Sequence, residues 1–228
     1  MGSRPKPGVL AVDVGGSHVK VLVEGEPAPR RAASGPRMTP KQMAAAVRAL
    51  AADWNWDRVS VGIPSPVHMG RVVSDPINLG KGWVGFDYAD AFGVPTKIVN
   101  DAAMQALGSY DAGTMLFLGF GTGLGSALVS SGVVQPMELG HLPYRKATFE
   151  EYVGEAALER IGKKRWRKHA KDVVATLATA LEPDYVVLGG GNAEKLDELP
   201  EGSRLGDNDN AFVGGYRLWD PDAPARIL

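Results

Sequence analysis

The sequence predicts an α/β fold built from two similar halves with a cleft between them. In each half a strand, a glycine-rich turn and a second strand come before helices and a further strand. The composition is that of a globular protein, since 44% of the residues are hydrophobic and 22% are charged. The 29 glycines and 16 prolines indicate many tight turns. We expect the first half to span residues 1–111 and the second half residues 112–228.

Charge and composition exclude several classes of protein. The 25 Lys and Arg residues nearly balance the 26 Asp and Glu residues, so the net charge of −1 favours neither nucleic acid nor a membrane surface as partner. The absence of cysteine excludes disulfides and thiol nucleophiles. No apolar run approaches the ~18 residues of a membrane span, and the N-terminus does not resemble a signal peptide. We expect a cytoplasmic protein.

In the first half, apolar runs bounded by turn residues predict strands at Val9–Val14, His18–Val23, Val59–Ile63 and Thr96–Val99. A helix is predicted at Thr39–Ala52, because Thr39 is a favoured N-cap residue, Pro40 suits the first helical position and Gln42 completes a capping box. A second helix begins near Asn100.

In the second half, similar runs predict strands at Thr114–Phe120, Ser126–Val134 and Tyr185–Leu188. Helices are predicted at Phe149–Ile161, where Thr148 and Glu151 form a capping box, and at Arg165–Leu181. The tail, Asp220–Leu228, is expected to be irregular.

Three glycine-rich turns follow strands and could hold phosphate groups through their backbone N–H donors. In the first, Asp13 precedes Gly15, Gly16 and Ser17, and Asp13 could orient a hydrated metal ion. An ordinary hairpin turn explains this pattern equally well.

The second turn, residues 119–125, has glycine at every second position, but a strand rather than a helix follows it. A phosphate-binding hairpin therefore explains it better than a dinucleotide-binding motif. The third turn, Gly189 to Asn192, leaves room for a ligand or forms a simple turn.

Several polar residues lie where a ligand could reach them, although each also has a structural explanation. Asn100 and Asp101 come at a strand-to-helix junction, where ligands collect but N-caps are also common. Glu138 and His141 could face one pocket, or His141 could be structural. In the loop of residues 75–85, Asn78 could offer an amide and Trp83 an apolar plane, or both could serve packing and turns.

A basic run at residues 163–171 carries six positive charges. It is either a solvated helix face or a site for an anionic ligand such as nucleic acid, acidic lipid or a long phosphate polymer.

Taken together and in this order, the motifs resemble the ROK family of sugar kinases and repressors in the actin-like ATPase superfamily, and within it the polyphosphate glucokinases. The segments that carry the resemblance are DVGGSHVK, NDA, LGFGTGLGSALV and ELGH, and GKKRWRKH and LGGGN are similar to stretches of the polyphosphate glucokinases. The resemblance spans about residues 9–219. It implies two ribonuclease-H-like lobes, as in actin-like ATPases and hexokinases, that close on a sugar.

The resemblance also implies roles for individual residues. Asp101 would be the general base that takes the proton of the sugar 6-hydroxyl. The other hydroxyls would be held by Asn78, Asn100, Glu138, His141 and Glu150. The phosphate and donor site would comprise Asp13, Gly15, Gly16, Ser17, Lys20, Gly121, Thr122, Gly123, Gly190 and Gly191. A phosphate polymer could run along Lys163, Lys164, Arg165, Arg167 and Lys168.

Two departures from the family pattern matter. Family kinases commonly carry a Cys/His zinc motif after the E-x-G-H segment, and here LPYRKATFEEYVG has no cysteine. We therefore expect no zinc, and we expect His141 to bind sugar. Family repressors carry an N-terminal winged helix-turn-helix, for which the eight residues before Val9 leave no room, so DNA binding by that route is not expected.

The sequence thus predicts a Mg²⁺-dependent glucokinase that uses polyphosphate, with ATP as a second donor. Mg²⁺ would be held through the donor phosphates, with Asp13 near it but not binding it directly. The alternatives are an ATP-only kinase of a hexose or an N-acetyl sugar and a non-catalytic sugar sensor. A homodimer is expected from the resemblance, and neither nucleic acid nor a membrane is expected as partner.

Overall fold

The computed structural model describes residues 7–227. The strands are β1 (Gly8–Val14), β2 (His18–Val23), β3 (Arg30–Ala33), β4 (Trp56–Ile63), β5 (Val67–His68), β6 (Arg71–Val72), β7 (Thr96–Asn100), β8 (Met115–Phe120), β9 (Leu124–Ser130), β10 (Val133–Met137), β11 (Pro143–Tyr144), β12 (Ala147–Thr148), β13 (Tyr185–Gly189), β14 (Ser203–Leu205) and β15 (Arg226–Ile227). The helices are α1 (Pro40–Leu50), α2 (Tyr88–Phe92), α3 (Asp101–Ser109), α4 (Phe149–Val153), α5 (Glu155–Ile161), α6 (Lys163–Leu181) and α7 (Asn210–Arg217).

The first sheet has the strand order β3-β2-β1-β4-β7. β1 is antiparallel to β2 and parallel to β4, which is in turn parallel to β7. Asp13 pairs with Gly62, and Ile63 pairs with Asn100. Because these three strands run in the same direction, their carboxyl ends bring Asp13 and Asn100 to one edge of the sheet.

The second sheet repeats this arrangement in the order β14-β13-β8-β9-β10-β15. β8 is antiparallel to β9 and parallel to β13, as β1 is to β2 and β4. The predicted α/β fold is confirmed, and the structure shows the same strand order at the centre of both sheets.

The proposed boundary between residues 111 and 112 stays a prediction. Helix α7 belongs to the second half in sequence but packs against the sheet of the first half. The Ser60 hydroxyl on β4 donates to the Gly215 carbonyl at 2.6 Å, and the Trp219 indole donates to Ser60 Oγ at 2.9 Å. α7 also crosses α3 with backbones in contact, because a Cβ at Gly108 or Gly214 would overlap the facing helix. Helices α3 and α7 therefore join the two sheets.

Both predicted capping boxes are confirmed, at the start of α1 and of α4. The predicted strand Ser126–Val134 is wrong, because a two-residue turn divides it into β9 and β10. Ser131 and Gly132 have φ of 52° and 71°, the left-handed geometry that tight hairpins require.

The predicted helix Phe149–Ile161 is also wrong as one element, since Gly154 with ψ 171° separates α4 from α5. At the break, the Glu155 N–H donates to the Gly121 carbonyl at 3.0 Å. A Cβ at Gly154 would lie 2.5 Å from the Thr122 carbonyl oxygen. The chain breaks here because the turn after β8 docks against the start of α5.

Smaller differences lie at the ends of elements. Helix α6 begins at Lys163 rather than at Arg165. The tail is not wholly irregular, since β15 pairs with β10. Strand β3 and helices α2 and α7 were not predicted. In the part of the chain that the structure describes, no helix has the length and apolar character needed to cross a membrane.

Candidate active site

Turns from both sheets line a cleft of about 390 Å³. Most of the predicted site residues line it: Asp13, Gly15, Gly16, Lys20, Asn78, Asn100, Asp101, Gly121, Thr122, Gly123, Glu138, His141, Glu150, Gly190 and Gly191. Ser17 is exposed outside this lining, and its carbonyl accepts from the Ser34 N–H. The five basic residues of the predicted polymer path, all on α6, also lie outside the lining.

Asp101 is the first residue of α3, directly after the end of β7. Its Oδ1 accepts from the Ala102 N–H at 2.8 Å. Burial, followed by the nearby Asp13 carboxylate, raises the pKa of Asp101 to about 7. A carboxyl group with this pKa takes up and releases a proton near neutral pH, as a general base requires.

Asp13 lies on β1 opposite Lys20 of β2. Burial raises the pKa of Asp13, and the positive charge of Lys20 opposes that shift. The cleft therefore holds two buried carboxyl groups with one ammonium group beside Asp13. Carboxylate oxygens of this kind suit a hydrated Mg²⁺ ion. Within residues 7–227, no cluster of three or more His, Cys, Asp or Glu side chains could hold a metal ion.

The first two glycine turns face each other across the cleft. The first is closed by the Gly15 N–H, which donates to the His18 carbonyl at 2.9 Å. A Cβ at Gly16 would lie 3.3 Å from the Thr122 hydroxyl and 3.5 Å from the Asn78 Cβ. The absence of a side chain at Gly16 therefore lets turns from the two halves approach closely.

The third glycine turn supports the second. The Asn192 side-chain amide donates to the Gly121 carbonyl at 3.2 Å, and the Asn192 N–H donates to the Phe120 carbonyl at 2.9 Å. Gly190 has φ 81°, and a Cβ there would overlap the Phe120 carbonyl. Glycine is required at this position both by the conformation and by the contact.

Two carboxylates flank His141 at the other end of the cleft. His141 Nδ1 lies 3.9 Å from Glu138 Oε2, and Nε2 lies 3.6 Å from Glu150 Oε1. Burial raises the pKa of Glu138, and His141 opposes that shift. Glu151 instead closes the capping box with Thr148. The three cleft side chains can accept and donate hydrogen bonds to a polyhydroxyl ligand.

The two asparagines of the cleft, Asn100 and Asn78, differ in their exposure to solvent. The Asn100 Oδ1 accepts from the Ala103 N–H at 3.0 Å, and its Nδ2 donates to the Ser65 carbonyl at 3.3 Å. Asn100 therefore caps α3 and keeps one amide hydrogen for a ligand. Asn78 is exposed at the cleft rim. Trp83 is fully buried in the core, so it serves packing and does not offer an apolar plane to a ligand.

The basic residues of α6 do not form one stripe. With about 3.6 residues per turn, Lys163, Lys164 and Arg167 share one flank, whereas Arg165 lies on the other and Lys168 faces away from the buried Trp166. Two positive charges are already paired: Arg167 with Asp197 at 3.0 Å, and Lys171 with Asp197 at 3.5 Å and Glu198 at 3.1 Å.

Sequence reasoning missed several polar residues of the cleft lining, among them Gln105 and Asn208. Gln105 lies one helical turn after Asp101, and the spacing of four residues could have identified it. Asn208 precedes α7, which has no strong sequence signal. A larger cavity of about 710 Å³ is lined mainly by the tail and neighbouring strands, and it shares only Asn100 with the cleft.

Comparison with solved structures identifies the class of fold. The chain is similar to a polyphosphate/ATP-glucomannokinase from Arthrobacter sp. strain KM, with a TM-score of 0.81, 24% identity and coverage of 92% of this chain and 96% of that one. It is also similar to a ROK family glucokinase from Streptomyces griseus, with a TM-score of 0.75, 17% identity and coverage of 92% and 98%. The fold is that of ROK sugar kinases.

Comparison with curated sequences points to one group of these kinases. The chain is 29% identical over 216 residues to the polyphosphate glucokinase of Mycobacterium tuberculosis (strain ATCC 25618 / H37Rv), which covers 86% of this chain and 77% of that protein. No protein-family model matches the sequence. The resemblance to ROK sugar kinases, and among them to polyphosphate glucokinases, is confirmed.

Proposed function

We propose that this protein is a glucokinase that transfers a phosphoryl group from inorganic polyphosphate, and also from ATP, to the 6-hydroxyl of glucose. The observation that carries the proposal is the position of Asp101. Its carboxyl group, with a pKa of about 7, lies in the cleft that the Gly15–Gly16 and Gly121–Gly123 turns line from opposite sides. The similarity to a polyphosphate glucokinase and to a polyphosphate/ATP-glucomannokinase supports glucose as the acceptor and polyphosphate and ATP as the donors.

In the proposed reaction, Asp101 accepts the proton of the attacking hydroxyl as the new O–P bond forms. The developing charge is spread over the transferring phosphoryl group, so catalysis rests on positioning and on electrostatic stabilisation. Backbone N–H groups of the two facing glycine turns would supply that stabilisation. His141, Glu138 and Glu150 would bind the remaining hydroxyls and hold the sugar in place.

Mg²⁺, when bound, neutralises charge on the donor phosphates. Asp13 is the residue of this chain that fits such an ion, because its buried carboxyl lines the cleft beside the first glycine turn. Because Asp101 serves as the base, the ion would be held mainly by the donor, and Asp13 would orient its water ligands.

One observation favours an ATP-only sugar kinase as the second candidate. The pairing of Arg167 and Lys171 with acidic residues reduces the free positive charge along α6. Lys163 and Lys164 remain for a polymer, and we propose that they bind polyphosphate as it leaves the cleft.

Glucose 6-phosphate formation tests the proposal, with long-chain polyphosphate and ATP supplied at matched phosphate concentration and with Mg²⁺ present. We expect turnover with both donors. Turnover with ATP alone would support the second candidate. Glucose binding without transfer from either donor would contradict the kinase and indicate a sugar sensor.

A further inference from the structure

A short hairpin connects two of the cleft side chains. His141 lies directly before it and Glu150 directly after it, with β11 and β12 between them. The Phe149 N–H donates to the Leu142 carbonyl at 3.0 Å and closes the base of the hairpin. Any shift of this hairpin would therefore move His141 and Glu150 together relative to the rest of the cleft.

One residue of the hairpin, Tyr144, fastens it to α6. The Tyr144 hydroxyl donates to Asp172 Oδ2 at 3.2 Å and lies 3.1 Å from His169 Nδ1. Its ring contacts those of Phe149 at 5.2 Å and Tyr152 at 5.1 Å between centroids. Tyr144 thus contacts both the helix that follows the hairpin and the longer helix α6.

The hydrogen bonds of this cluster have a defined direction. A carboxylate only accepts, so the single proton of the Tyr144 hydroxyl goes to Asp172. His169 must then donate from Nδ1 to the Tyr144 oxygen. Burial, followed by the charge of Arg145, lowers the pKa of His169 and so favours the neutral ring.

Packing fixes the part of α6 that carries His169 and Asp172. On the same helix as His169 and Asp172, Trp166 is fully buried and its indole donates to the Val153 carbonyl at 2.7 Å. At the hairpin turn, Arg145 has φ 55° and lies 3.6 Å from Asp172. A left-handed conformation at a non-glycine residue persists only where its surroundings hold it.

We propose that Tyr144 is a positioning residue for the sugar side of the cleft. By tying the hairpin to His169 and Asp172, its hydroxyl fixes the position of His141 and Glu150 in the cleft. The donor side is held independently, through Asn192 and the glycine turns. This inference rests on the proposed function, in which His141 and Glu150 bind the sugar.

The test is the Tyr144→Phe variant, with Tyr152→Phe as a matched control. Both tyrosines pack in the same cluster, but within the described residues the Tyr152 hydroxyl makes no hydrogen bond. We expect the KM for glucose and the calorimetric Kd for glucose to rise about five-fold in Tyr144→Phe, the effect of losing hydrogen bonds of ordinary strength. The KM for the donor should stay at the wild-type value, and Tyr152→Phe should match the wild type.

Two results would overturn the inference while leaving the proposed function intact. One is a wild-type glucose KM and Kd in Tyr144→Phe. The other is an equal rise in the KM of glucose and of the donor, which indicates a general loss of structure. A wild-type protein that neither binds nor phosphorylates glucose would overturn the proposed function, and the inference with it.

Discussion

Asp101 and Asp13 illustrate how burial and neighbouring charges prepare a side chain for proton transfer. Both carboxyl groups are buried in the cleft, and their pKa values are raised mainly for that reason. The proximity of Asp13 raises the pKa of Asp101 further, while Lys20 moderates the shift at Asp13. The result is a proton acceptor at the end of β7 that is half ionised near neutral pH.

The raised pKa of Asp101 also predicts a pH dependence of stability. Its pKa is about 7 in the folded protein, above its ordinary value of 3.8, so the folded state holds the proton more tightly. The free energy of unfolding must then fall as the pH rises from about 4 to about 7. We expect Asp101→Asn, which has no proton to lose, to raise the Tm at pH 8 and to leave it near the wild-type value at pH 4.5.

Thermal unfolding of both proteins across this range checks the prediction. Asp13 contributes to the slope in the same direction in both proteins, so the difference between them reports Asp101 together with its interaction with Asp13. A difference in Tm that does not change with pH would contradict the raised pKa.

The elements around the cleft fit together through glycines at a few contacts. Gly190 and Gly191 are neighbours in one turn, but only Gly190 has a positive φ and lies against the Phe120 backbone, whereas a Cβ at Gly191 meets nothing within 4 Å. We expect Gly190→Ala to lower the free energy of unfolding by about 1–3 kcal/mol, and Gly191→Ala by less than ~0.5 kcal/mol. Urea unfolding of the two variants measures this, and equal losses would show that the contact with Phe120 does not decide stability.

On helix α6, basic residues on opposite flanks should differ in their effect on polyphosphate binding. Lys163 and Lys164 lie on the flank that faces Asp197, and within the described residues neither takes part in a salt bridge, whereas Arg165 lies on the opposite flank. Reversing both charges (Lys163→Glu with Lys164→Glu) should raise the KM for polyphosphate at least ten-fold and leave the KM for ATP unchanged. Arg165→Glu serves as the control and should have a smaller effect.

Salt dependence gives an independent check on the same helix. A polymer held by several cations loses affinity steeply as salt concentration rises, by analogy with counterion release from nucleic acids. An equal loss of polyphosphate and ATP use in the double variant would indicate a damaged helix. Arg167 is unsuitable for this test, because it pairs with Asp197 and donates to the Lys195 carbonyl at 2.6 Å.

At the scale of the whole molecule, local signals predicted much of the fold. Thr39 and Thr148 determine helix starts through bonds to residues three positions away, so their capping boxes can be read from the sequence. Alternating and continuous apolar runs predicted β1, β2, β4 and β7 of the first sheet and β8 and β13 of the second, but they merged β9 with β10. The glycine turns were likewise recognisable, because each directly follows a strand.

What could not be predicted depends on contacts between distant segments. Gly154 breaks a helix because the Thr122 carbonyl occupies the space beside it. Trp83 could have faced a ligand, and only the packed structure shows that it is buried. Arg167 looks like a free cation until Asp197, thirty residues further on, is seen beside it. The homodimer implied by the resemblance stays a prediction.

The central claim is that Asp101 is the base of a sugar kinase whose cleft lies between the two sheets. The most direct test is glucose 6-phosphate formation by the wild type and by Asp101→Asn, with saturating glucose, donor and Mg²⁺. A positioned base contributes about 10²–10⁴-fold, so the account predicts a kcat at least ~100-fold lower in the variant, with circular dichroism unchanged. A variant with near-normal turnover would remove Asp101 from the mechanism.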